Sequence, residues 1–167
     1  MNRLRILLHQ ATVVFFGVTF GLAGSHTVAD AVVVPCGATL VLSTTLSADL
    51  TCSGTALRVG APGIAVNLNG HKLLGNGTGS GVDNSAGYDG VTISNGIIDH
   101  FENGVLLSNA SNNTLTKLTV RNNGVGIKLW LNNVANTISA NIVTRNLRQG
   151  IYVGCDPAAF GGTAAGC

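Results

Sequence analysis

Two groups of residues in this 167-residue chain have types and spacings that could do chemistry. The first is the acidic turn DHFE, with Asp99 and Glu102, followed one and two repeats later by Arg121 and Arg145. Hydrolysis of a glycosidic bond takes two carboxylates facing that bond. An Asp and two Arg gathered into one column could form a small acid/base site. The alternative is a solvated turn in which the charges offset each other across the fold. The second group is Lys128, Trp130 and Tyr152. Aromatic faces suit the apolar side of a pyranose, and an ammonium suits an acidic sugar. The alternative is that the C-terminal tail folds over Trp130, the chain's single tryptophan. His71 and His100 read as surface residues. No metal site is expected, because the cysteines lack a Cys-x2-Cys spacing and only two histidines follow residue 31.

The elements that must position these groups are set by a repeat. A Gly followed by Val or Ile recurs at Gly81, Gly104, Gly126 and Gly150, at spacings of 23, 22 and 24. After each Gly the pattern alternates, as in GVLLS, GIKLW and GIYVG. That is the period of a half-buried strand. Val105, Leu107, Ile127, Leu129, Ile151 and Val153 are expected inside, and Leu106, Lys128, Trp130 and Tyr152 outside. A second strand-like run follows as GVTIS, NTLT and NTIS, and a third as Ile97-Ile98, residues 118–120 and Ile142-Val143. A looser copy precedes them over residues 55–75. A unit of this length cannot bury its own apolar face, but a stack of units can. Each strand then pairs with its equivalent one coil away, ~4.8 Å distant. The 17 Asn fit the same picture, since Asn tolerates left-handed turns and its amides can bond along a stack.

Composition agrees. Only 10% of residues are charged, against about a quarter in ordinary domains, and 23 are Gly. The net charge of +2 and the scattered Lys and Arg exclude a nucleic-acid footprint. Residues 1–31 read as a secretory signal peptide: Arg3 and Arg5, the apolar run 11–23, and a small-x-small site ending at Ala31. An uncleaved anchor is the alternative. After cleavage no stretch could span a bilayer. Four cysteines follow the cleavage point, an even number in an exported chain. Proximity pairs Cys36 with Cys52 and Cys155 with Cys167.

The stretches CGATLVLSTTLSADLTCSGTALRVGAPGIAVNLNGHKLLG and GVTISNGIIDHFENGV resemble exported right-handed parallel β-helix repeat proteins of the pectate-lyase-like superfamily. The resemblance runs from about Cys36 to Val153. It implies an all-β, right-handed parallel β-helix of about five short coils over residues 55–154. It also implies an N-terminal cap over residues 32–54, stapled by Cys36–Cys52. Residues 155–167 are then a C-terminal tail or a truncated end. The implied function is a secreted or periplasmic protein that binds or processes polysaccharide. A structural or adhesin-like scaffold is the alternative, and a copper-related periplasmic accessory role is the third option. No cofactor is expected; calcium enters only for a lyase-like activity, which the superfamily runs with acidic calcium ligands and a basic residue.

Overall fold

The computed structural model describes residues 31–154. The expected signal peptide, apart from Ala31, and the expected Cys155–Cys167 bond lie outside the described residues. Strand β1 (Ala31–Val32) comes first, and five turns follow. The first turn carries β2 (Ala38–Leu40), β3 (Thr44–Leu46) and β4 (Leu50–Thr51). The second carries β5 (Leu57–Val59), β6 (Ala65–Asn67) and β7 (Lys72–Leu74). The third has β8 (Ser80–Asn84) and the long β9 (Thr92–Asp99); the fourth has β10 (Asn103–Ser108) and β11 (Thr114–Arg121). The fifth has β12 (Val125–Trp130), β13 (Thr137–Ser139) and β14 (Ile142–Thr144), and β15 (Gln149–Gly154) leads on from it.

Every pairing is parallel and joins one turn to the next. One sheet runs β2-β5-β8-β10-β12-β15; the other holds the remaining nine strands. The protein is therefore an all-β parallel solenoid of about five turns. The segment 38–51, expected as a cap, carries strands in the same ladder, with β2 on β5 and β4 on β7. The Cys36–Cys52 disulfide closes this end, with Cα atoms 5.6 Å apart.

The interior is filled by columns of apolar side chains in register. In the six-stranded sheet Leu57, Val82, Val105 and Ile127 stack, and Leu107 lies under Leu129. Val66, Ile93 and Leu115 form a second column, and Leu73, Ile98 and Val120 a third. All of these are buried. Burying each such side chain contributes about 1.5–3 kcal/mol. Two residues expected inside differ. Ile151 and Val153 continue the columns of Ile127 and Leu129, yet they are 49% and 72% exposed. They point inward, but no described strand lies beyond β15 to cover them.

The recurring Gly has a packing cause. A Cβ on Gly104 would strike the carbonyl oxygen of Gly126 and the side chain of Val120; one on Gly81 would lie 2.6 Å from the carbonyl oxygen of Gly104. Successive turns approach too closely there for any side chain.

Corners also stack. Asn95, Lys117 and Ala140 have φ of 64°, 55° and 55°; His100, Asn122 and Arg145 have 66°, 54° and 55°. These left-handed residues turn the chain between faces. The bend at Asn95 and Lys117 occurs without breaking β9 and β11, so two expected short strands appear there as one bent strand.

The Asn residues staple the corners. Asn123 accepts the Phe101 N–H through Oδ1 at 2.8 Å and donates from Nδ2 to the Ile98 carbonyl at 3.2 Å. Asn136, Asn141 and Asn146 repeat the pattern, each accepting a backbone N–H 23 residues earlier and donating to a carbonyl 26 residues earlier. Each bond answers a backbone group that the corner has removed from the ladder.

The fold makes opposite demands on two positions. Leu107→Ala should cost about 2–5 kcal/mol by emptying a column. Ala140→Gly, at an exposed left-handed corner, should stabilise by about 1 kcal/mol through relief of strain. Urea unfolding of the two variants beside the parent checks both values.

Candidate functional site

The parallel register decides which of the chemically able residues meet. Lys128 lies opposite Tyr152 in the β12–β15 pairing, and Trp130 is two residues along the same strand. Ile127 and Leu129 fill the interior, so Lys128 and Trp130 emerge on the outer face of the six-stranded sheet. There the Trp130 and Tyr152 rings stack, with centroids 6.1 Å apart and planes at 21°. The Lys128 Nζ sits over the Trp130 ring, 5.0 Å from its centroid. The three expected residues are thus one cluster. With Glu102, Val125, Arg148 and Gln149 they line a groove of about 440 Å³.

The acid/base column assembles in part. Asp99 is opposite Arg121, as the repeat implied, but Thr144 lies opposite Arg121 in the next turn. Arg145 is one position further on, at the left-handed corner above Asn122. Asp99 Oδ2 accepts from Arg121 Nε at 3.0 Å, and Oδ1 accepts from Asn122 Nδ2 at 2.9 Å. Asp99 is a buried carboxylate with both oxygens committed to the turn above. Glu102 is engaged elsewhere, with Arg148. The acidic pair of the DHFE turn therefore divides between two cations in two places.

The Glu102–Arg148 pair spans two turns. Asn103, Val125 and Gln149 are register partners, so Glu102, Gly124 and Arg148 form the column just before them. Gly124 keeps the space beside the pair clear. A Cβ there would sit 2.9 Å from Arg148 Nη2 and 3.0 Å from Glu102 Oε2. Arg148 and Gln149 were not among the residues expected in the site. The repeat spacings of 22 and 24 from Glu102 were the available signal.

The other carboxylates of the described residues are also tied to backbone or cations. Asp83 pairs with Arg58 at 2.8 Å, Asp89 accepts the Ser111 N–H at 2.6 Å, and Asp49 accepts the Lys72 N–H at 2.9 Å and faces His71 Nδ1 at 3.1 Å. The Lys72 N–H and then the His71 side chain hold the Asp49 carboxyl below its ordinary pKa of 3.8.

A family model described as periplasmic copper-binding protein (NosD) matches residues 23–156, well over half of the chain. No curated protein and no solved structure matches the chain. The copper in that description can be tested against the side chains present. Among the described residues no three His, Cys, Asp or Glu side chains gather where they could hold a metal ion. Cys36 and Cys52 are joined, His71 faces Asp49, His100 turns a separate corner, and none of the described residues is Met. That set holds no free soft donor and its two imidazoles stand at separate corners, so it does not fit a copper centre.

Asp49 gives a pH test. Its depressed pKa means that its contribution to stability is present above about 3.8 and is lost as pH falls through the lower folded value. NMR titration should place the Asp49 carboxyl below 3.8, and His71→Ala should raise it only part of the way, because the Lys72 N–H remains.

Proposed function

The chain belongs to the NosD family of periplasmic β-helix proteins, and on that premise we propose that it is a secreted or periplasmic binding protein whose outer sheet face takes a glycan. One observation carries this: the Trp130–Tyr152 stack with Lys128 over the Trp130 ring, which together line one groove of the described residues. Two rings and an ammonium in that arrangement offer an apolar platform and a charge to a sugar or two. Binding is preferred to cleavage because Asp99 and Glu102 each serve a different Arg rather than facing a common point. Asp99, Glu102, Arg121 and Arg145 accordingly take no catalytic role in this proposal, and calcium takes no part.

A second reading is the copper-related periplasmic role that the family's description carries, and the length of the match favours it. The donor set of the described residues weighs against direct coordination. A non-catalytic scaffold is the remaining alternative.

Titration of the mature chain with acidic and neutral oligosaccharides, followed by tryptophan fluorescence, separates these. Trp130 is the chain's only Trp, so any change reports this groove. A saturable shift that Tyr152→Ala weakens severalfold is expected, the loss of an aromatic stacking partner being worth about 0.5–1.5 kcal/mol. An unresponsive Trp130 with every glycan would leave the scaffold reading. Stoichiometric copper binding that is lost in His71→Ala would favour the copper-related one.

A further inference from the structure

The groove holds two cations of unlike status. Lys128 lies over a ring and makes no ion pair among the described residues. Arg148 is bound to Glu102, which also lines the groove. The pair is half-exposed, with side-chain exposures of 51% for Arg148 and 46% for Glu102. Both groups are therefore reachable from the groove. The pair also reaches across an entire intervening turn, over a position that Gly124 keeps clear. Glu102 can leave Arg148 without disturbing a strand, because neither residue's side chain fills the interior.

We propose that Glu102 is an internal competitor for Arg148, and that it sets the groove's preference between acidic and neutral glycans. This rests on the glycan reading of the groove. In the free protein the Glu102 carboxylate occupies the guanidinium. An acidic sugar seated on Trp130 and Tyr152 presents its own carboxylate to the same rim and takes Glu102's place on Arg148. A guanidinium binds a carboxylate through paired N–H donors whichever molecule supplies it. A neutral sugar has no group to exchange, so Glu102 stays where it is. Glu102 thus weakens acidic ligands twice, by holding Arg148 and by its own negative charge, and leaves neutral ones untouched.

Removing the competitor should change selectivity and not platform binding. An exposed pair of this kind is worth about 0.2–1 kcal/mol, so Glu102→Gln should tighten an acidic oligosaccharide by up to about fivefold. The probes are an oligomer of uronic acid and a neutral glucose oligomer of equal length, each titrated against Trp130 fluorescence at low and high salt. The expected result is a rise in the acidic-to-neutral affinity ratio in Glu102→Gln. The same rise should be absent from the double variant Glu102→Gln with Arg148→Gln. Thermal melts of each variant distinguish lost folding from lost binding. If both oligomers bind the parent and the ratio is unchanged in Glu102→Gln, the competitor role is overturned and the groove stands. If neither oligomer shifts Trp130 in the parent or in Glu102→Gln, the glycan reading falls with it.

Discussion

Every feature of this protein depends on the stacking of one turn on the next at the spacing of a parallel β-ladder. A turn of 22 to 24 residues closes around a thin interior that it cannot fill alone. The apolar columns that run through Leu57, Val82, Val105 and Ile127 exist only because the turns hold register. Once register is fixed, the outer residues are fixed as well, since side chains alternate along a strand. The same constraint forces Gly wherever turns approach most closely, at Gly81, Gly104 and Gly126. It also puts a residue with positive φ at each recurring corner.

Much of this was legible in the sequence because the repeat states it several times. The spacing from Gly126 to Gly150 implies the pairing of Lys128 with Tyr152. The spacing from Gly104 to Gly126 implies Asp99 opposite Arg121 for the same reason. Arg145, expected near that column, stands one residue beyond it. Residues 122 and 145 both turn a left-handed corner, and a pattern of residue types does not mark whether a position ends a strand or begins a corner. Arg148 was missed for a different reason. Its partner Glu102 lies two turns away, and nothing in the residue types distinguishes the intervening Gly124 from any other turn glycine. The committed state of Asp99 was equally hidden, because Asn122 supplies half of its bonds and Asn is everywhere in the chain.

Family and site pull in different directions here. Membership of the NosD family accounts for the fold and for the place outside the cytoplasm. The side chains of residues 31–154 gather no metal-ligating cluster, and the glycan proposal rests instead on a stacked pair of rings. A solenoid leaves room for both. Its interior is maintained by one set of positions and its faces by another, so the outer positions can change ligand without cost to the stack.

The direction of the Asn staples has a consequence for how the molecule is assembled. Asn113, Asn123, Asn136, Asn141 and Asn146 each accept a backbone N–H that lies 22 or 23 residues behind them. A turn's corner is thus finished by the turn that comes after it. Removing a turn from the C-terminal side therefore does more than uncover an apolar face: it leaves corner N–H groups of the preceding turn without their acceptors. The stack is directional in this sense, and the disulfide at Cys36 and Cys52 ties its opposite end.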